Sequence, residues 1–136
     1  MKVQTKKVAS NYLKLSKLRI VELLLITTVP SMVVSIYGFP PVELVLFTLF
    51  GGTALAVSAN VLNQIFEIET DKLMARTSDR PLVTGTISVK NAYIYSILLA
   101  LIGFIILYTQ TTPLAAYICI NGKHFLLFYI YIDFKT

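Results

Sequence analysis

The chain has 136 residues, of which 56% are hydrophobic, and its mean hydropathy is +0.74. A soluble domain of this length does not need so much apolar surface, so the composition predicts an integral membrane protein in contact with a lipid bilayer. The net charge of +5 reflects a group of bases that precedes the first apolar run. Bases in that position set membrane topology more often than they bind nucleic acid, so we expect no nucleic-acid partner.

The first half of the chain predicts two membrane-spanning helices. A basic N-terminus, residues 1–19, precedes a first span at residues 20–37, where Pro30 kinks a helix without forbidding it. An uncharged turn at residues 38–41 leads to a second span, Val42–Phe66. Its 25 residues would be about 37 Å long, more than a hydrocarbon core of about 30 Å. We therefore expect its C-terminal end to emerge from the membrane.

The second half predicts a charged loop and further spans. The loop occupies residues 67–90, and Ser88 is a candidate N-cap for the third span, at residues 92–108. A fourth span begins at residue 114 and is interrupted by the sequence NGKH at residues 121–124. The sequence thus predicts an all-α fold: a polytopic transmembrane helical bundle with three complete spans and a partial fourth.

The distribution of bases predicts how this bundle lies in the membrane. The N-terminal bases and those of the charged loop fall on the same side after two crossings, whereas the turn at residues 38–41 carries none. Both observations place the N-terminus and the loop on the cytoplasmic side. We expect a single membrane domain over residues 1–136, located in the cell membrane of a bacterium or archaeon.

Three oxygen-bearing side chains stand at helical spacing where the second span meets the loop. Asn63, Glu67 and Asp71 are four residues apart, so on a helix they lie within about 80° of one another. Glu69 faces elsewhere and is expected to be a solvated surface charge. Two carboxylates and an amide suit a hard cation such as Mg²⁺, which shares its remaining positions with water and substrate phosphates.

The neighbouring residues suggest what such a site would hold. Arg76 and Arg80 follow, and arginine makes forked contacts to phosphate oxygens, so the charges together would neutralise a diphosphate. Small residues at Gly52, Ala56 and Ala59 continue the same face, where they permit close helix packing or leave room for a ligand. The alternative is an ordinary loop of mixed charge, since acid pairs at this spacing are common on solvated helices.

These residues resemble the UbiA-type intramembrane prenyltransferases. The strings NQIFEIETD and MARTSDRPLVTGTIS are similar to the first aspartate-rich motif of that family. The matching positions are Asn63, Glu67, Asp71, Arg76, Thr77, Arg80, Pro81 and Leu82. The similarity is greatest to the protoheme IX farnesyltransferase (heme O synthase) branch, because Gln64 stands where quinone-type relatives have a second Asp.

The resemblance implies an activity and roles for the site residues. Glu67 and Asp71 would be metal ligands that hold Mg²⁺ against the diphosphate of farnesyl diphosphate, and Asn63 would orient or join them as the third catalytic residue. Arg76 and Arg80 would bind the phosphate oxygens. Loss of diphosphate leaves an allylic cation that a vinyl group of protoheme IX attacks, and water completes heme O for heme-copper oxidase biogenesis. Heme is then a substrate, not a cofactor.

The length of the chain departs from the family pattern. Members have more helices and a second aspartate-rich motif, and we expect the resemblance to fade after Gly122. A bundle of so few spans would hardly enclose a porphyrin and a farnesyl chain, and one motif supplies few oxygen ligands for paired metals. Three hypotheses therefore stand: the N-terminal part of the enzyme, with or without a separately encoded second half; an inactive truncated fragment; or a small non-enzymatic membrane assembly or binding protein.

Overall fold

The computed structural model describes residues 10–13, 15–16 and 18–122, and within those ranges the regular secondary structure is entirely helical. Its helices are α1 (Leu18–Ser35), α2 (Val42–Phe66), α3 (Ile68–Leu73), α4 (Val89–Gln110) and α5 (Pro113–Gly122). Residues 10–13 are also helical. The predicted all-α helical membrane bundle is confirmed. Most of the basic N-terminus and the tail after Gly122 lie outside the described residues.

Two of the described helices, α2 and α4, are long and apolar enough to cross a membrane. Only 28% and 22% of the residues in their most apolar stretches are buried within the protein. Most of their apolar side chains therefore face outward, where they are suited to hydrocarbon. The helical backbone is suited to lipid as well, because a helix satisfies its own hydrogen bonds. Helix α5 and residues Val21–Ser35 of α1 are apolar but shorter. The count of three complete spans and a partial fourth stays a prediction.

The helix boundaries follow local signals. Helix α1 continues through Pro30 and ends before a turn in which Tyr37 adopts a positive φ of 52°. Helix α2 has the predicted bounds, and α4 begins after Ser88, whose side chain accepts a hydrogen bond from the backbone N–H of Asn91 at 3.3 Å. Ser88 is therefore the N-cap that the sequence predicted.

The predicted interruption of the last span is wrong at its first two positions. Asn121 and Gly122 are still helical. The side-chain amide of Asn121 donates to the backbone carbonyl of Tyr117 at 2.8 Å, one turn earlier. This bond satisfies the amide within the helix, so the residue does not have to break it. Lys123 and His124, the other two positions of the interruption, lie outside the described residues.

Helices α2 and α4 pack against each other at a glycine contact. A Cβ atom added to Gly103 would lie 2.7 Å from the carbonyl oxygen of Gly51 and 2.9 Å from Cγ of Leu55. Further along, Ser58 and Ser96 are buried, and each hydroxyl donates to the backbone carbonyl of the other residue, at 2.7 and 3.0 Å. Small residues and paired hydroxyls are the usual means by which helices associate in a bilayer.

Substitution of Gly103 by valine is expected to destabilise the bundle. The new side chain must push the α2 backbone away, and such overpacking costs about 1–3 kcal/mol. Thermal unfolding followed by circular dichroism in detergent would measure the loss. Gly52→Ala is the matched control, because a Cβ there meets nothing within 4 Å. Equal melting temperatures for Gly103→Val and the unaltered chain would contradict the close crossing.

Candidate functional site

The three motif residues lie on one face because the helical hydrogen bonds continue past the end of α2. Helix α2 ends at Phe66, and Glu67 is the junction with α3. The backbone N–H of Glu67 nevertheless donates to the carbonyl of Asn63 at 3.0 Å, and that of Asp71 donates to Glu67 at 2.8 Å. Helical geometry is thus retained from Asn63 to Asp71, as the spacing predicted.

A cation from the loop lies on this face. The Arg80 guanidinium donates to Oε2 of Glu67 at 3.5 Å and forms a close ion pair with Oδ2 of Asp71. The side-chain amide of Asn63 donates to the other oxygen of Glu67, at 2.9 Å. Asp71 is only 4% exposed. The structure therefore brings four of the five predicted site residues together, with both carboxylates directed at one point.

The loop returns to α2 because its middle is anchored. Thr77 is buried, and its hydroxyl donates to the backbone carbonyl of Asp71 at 3.1 Å. The backbone N–H of Arg80 donates to the carbonyl of Thr77 at 3.1 Å. Leu82 packs with Val57 and Val61 of α2 in the same hydrophobic cluster. Thr77 thus positions both ends of the ion pair, a role that the sequence assigned to no residue. Its place between the two arginines of the motif was the available signal.

Arg76 and Glu69 lie away from this cluster. Arg76 is exposed, so the structure does not bring it to the carboxylates, and its contact with phosphate stays a prediction. Glu69 is exposed and pairs with Lys72 at 2.7 Å, which confirms it as a surface charge.

One oxygen at the site is buried without a hydrogen-bond partner. It is Oδ1 of Asn63, the acceptor end of the amide whose nitrogen bonds Glu67. A buried acceptor left unpaired is costly, and a cation would satisfy it. Among the residues that the structure describes, no three His, Cys, Asp or Glu side chains form a metal-binding group. Two carboxylates and an amide still fit Mg²⁺, because it commonly takes its remaining ligands from water and phosphate.

The small-residue stripe of α2 lines a cavity. Gly52, Ala56 and Ala59 border a volume of about 460 Å³, which is also lined by Val21 and Leu25 of α1. A Cβ at Gly52 would meet nothing within 4 Å. Of the two functions that the sequence left open for this stripe, the structure supports room for a ligand. Close helix packing instead centres on Gly51, on the adjacent face of α2, and Leu55 takes part in both, since it meets Gly103 and also borders the cavity.

Gln64, which stands where quinone-type relatives have a second Asp, contacts the N-terminal segment. It is only 2% exposed, and its amide donates to the backbone carbonyl of Leu15 at 2.5 Å. Asn60, one turn earlier, donates to the carbonyl of Ser16 at 3.4 Å. Ser16 and Tyr12 also contact Tyr95 of α4. Gln64 therefore holds the N-terminal segment against α2 and does not face the carboxylates.

Comparison with known proteins identifies the family to which the chain belongs. Residues 24–134 match the UbiA prenyltransferase family, and the chain belongs to that family. The match extends past Gly122, so the expectation that the resemblance fades there is wrong: the apolar tail still aligns with the family. No solved structure matches the chain.

Several similar proteins are named protoheme IX farnesyltransferase. The one from Pseudarthrobacter chlorophenolicus is 42% identical over 124 residues, which are 91% of this chain and 38% of the relative. The one from Paenarthrobacter aurescens is 40% identical over 121 residues, covering 89% of this chain and 37% of the relative. The Chloroflexus aurantiacus protein is 37% identical over 85% of this chain and 20% of its own. The chain thus spans less than two fifths of the length of these relatives.

Substitution of Gln64 by methionine is expected to loosen residues 10–16. The Leu15 carbonyl would lose its partner inside the bundle, at a cost of about 1–3 kcal/mol. Hydrogen–deuterium exchange of the peptide covering these residues would show faster uptake. Gln110→Met is the matched control, since Gln110 is an exposed residue at the end of α4. Unchanged exchange in Gln64→Met would mean that the amide does not hold the segment.

Proposed function

We propose that this chain supplies the diphosphate-binding part of a protoheme IX farnesyltransferase. The reaction transfers a farnesyl group from farnesyl diphosphate to a vinyl group of protoheme IX and yields heme O. The observation that carries the proposal is the convergence of Asn63, Glu67, Asp71 and Arg80 at one end of α2. The names of the relatives above support the choice of substrates.

The proposed division of labour follows from the charges. Glu67 and Asp71 would hold Mg²⁺, with Oδ1 of Asn63 as a third oxygen beside them. Bound there, Mg²⁺ would stabilise the charge that develops on the departing diphosphate. Arg80, and Arg76 from the exposed part of the loop, would bind phosphate oxygens through their planar, forked donors. These side chains fix the position of the leaving group, which is the part of the catalytic task that this motif can perform.

The cavity beside α2 supports an isoprenoid as the remainder of the substrate. It lies on the face that carries Asn63, and small or apolar side chains form most of its lining. Each methylene removed from water contributes about 0.8 kcal/mol, so a prenyl chain gains substantially from such a site. A surface of this kind would also exclude water near a cationic intermediate.

We propose that the N-terminus and the motif loop, residues 67–90, face the cytoplasm.

A second candidate is favoured by one observation. The chain spans 38% of the length of the Pseudarthrobacter relative, and the described residues offer two carboxylates at the site. A part that binds diphosphate without turning it over, or that needs a separately encoded second half, would have these features. The activity of the 136-residue chain by itself and its activity when joined to a second half must therefore be measured separately.

The test joins residues 1–122 of this chain to the Pseudarthrobacter relative from the residue that aligns with Lys123 onward. Membranes holding this chimaera are given farnesyl diphosphate and protoheme IX, and heme O is measured by chromatography and mass spectrometry. We expect heme O from the chimaera. The unaltered 136-residue chain in parallel membranes shows whether it suffices alone. No product from the chimaera, with the intact relative active, would reject the proposed function.

In the same chimaera, Asp71→Ala is expected to reduce turnover to less than about a tenth, because a metal-holding carboxylate is lost. Glu69→Ala is the matched control, since it removes an exposed acid of the same helix that pairs with Lys72. We expect this control to stay within about twofold of the parent. Activity above a tenth in Asp71→Ala would count against the assignment of the metal ligands.

A further inference from the structure

The Arg80 guanidinium occupies the point at which the two carboxylates converge. The side chain of Arg80 is 21% exposed, and those of its two partners, Asp71 and Glu67, are 6% and 30% exposed. At this degree of burial the attraction is screened less than at an open surface. Both oxygens of Glu67 are also engaged, one by Asn63 and one by Arg80. The two carboxylates therefore already have a cation, the Arg80 guanidinium, in the place proposed for a metal.

We propose that Arg80 is a built-in counter-ion that keeps a divalent cation from binding until a diphosphate gives the guanidinium another partner. The inference rests on the proposed function and adds an order to the binding. Arg80 must leave the carboxylates before a dication is held there. Without a phosphate nearby, the displaced guanidinium gives up Glu67 and Asp71, its ion-pair partners in the described part of the chain. A dication alone would then share a partly buried site with a positive side chain.

The diphosphate faces the converse problem. Without a dication it meets two carboxylates, which repel it and hold the Arg80 guanidinium that would attract it. With both present, the carboxylates pair with the dication and Arg80 pairs with phosphate oxygens. Each ligand thus removes the charge that opposes the other, and linkage requires each to raise the affinity of the other by the same factor.

The local structure allows this exchange by movement of one side chain. The backbone of Arg80 is fixed at both of its polar groups: its N–H donates to Thr77 at 3.1 Å, and its carbonyl accepts from Thr84 at 3.0 Å. The following Pro81 is buried. The guanidinium, at the partly exposed end of a long side chain, can rotate from carboxylate to phosphate while the loop stays in place.

The test uses Mn²⁺, which takes the same oxygen ligands as Mg²⁺ and is followed by electron paramagnetic resonance. The 136-residue chain in phosphatidylcholine nanodiscs is titrated with Mn²⁺, with and without inorganic pyrophosphate. Arg80→Gln is compared with the unaltered chain and with Lys72→Gln. The second substitution also removes one positive charge, next to Asp71 in sequence, but Lys72 pairs with Glu69 and not with the site. The samples that receive pyrophosphate all contain the same Mn²⁺–pyrophosphate complex in solution, so differences among them belong to the protein.

Without pyrophosphate, Arg80→Gln is expected to bind Mn²⁺ about tenfold more tightly than the unaltered chain, within the usual range of coupling between sites. Lys72→Gln should change the affinity by less than about threefold, because its charge is exposed and screened. Pyrophosphate should strengthen Mn²⁺ binding in the unaltered chain and much less in Arg80→Gln. Arg80→Lys, which retains the charge, should resemble the unaltered chain more than Arg80→Gln. Circular dichroism checks that each variant keeps its helix content.

Two results would overturn the inference, and they differ in what they say about the site. Equal Mn²⁺ affinity in the unaltered chain and Arg80→Gln, abolished by Asp71→Asn, would leave the metal site intact and exclude the counter-ion role. Absence of binding sensitive to Asp71→Asn in all samples, even with pyrophosphate, would remove the metal site together with the proposed function.

Discussion

The close crossing of α2 and α4 is the constraint on which the arrangement of the site depends. Because Gly51 and Gly103 have no side chains, the two backbones approach until a Cβ would no longer fit. This contact uses one face of α2. The adjacent face, with Gly52 and Ala56, is then left toward α1 and the cavity. Asn63 and Glu67 continue that second face beyond the apolar part of the helix. Gly51 at the helix contact and Gly52 at the cavity are thus separated by about 100° of rotation around one helix.

Electrostatics then determines the path of the loop. A carboxylate as buried as that of Asp71 requires a cation and hydrogen bonds, since an unpaired buried charge is strongly unfavourable. Arg80 provides the cation, and Thr77 fixes the turn that returns it. The apolar side chain of Leu82 joins the core next to this pair. The loop that looks like a solvated segment of mixed charge is therefore held at its middle by the ion pairs of Arg80 and by the buried residues Thr77 and Leu82.

Much of this was predictable from residues close together in the sequence. The bounds of α2 follow from the long, mainly apolar run after Pro41, and the shared face of Asn63, Glu67 and Asp71 follows from helical periodicity. Which arginine returns to that face was not predictable, because the answer depends on the path of the turn between α3 and α4. The bond from Gln64 to Leu15 joins residues 49 apart in sequence. A polar amide in an apolar run shows that a partner must exist, but only tertiary packing determines which one.

That bond also has a consequence for the synthesis of the protein. The carbonyl of Leu15 is made first, and its partner amide is added 49 residues later. The contact of Ser16 with the Tyr95 hydroxyl can form only later still, since the two residues are 79 apart in sequence. While the ribosome is making the first two helices, residues 10–16 cannot take their final place. The N-terminal segment therefore docks on α2 only after Gln64 has been made, and its contact with Tyr95 forms only after the start of α4 has been made.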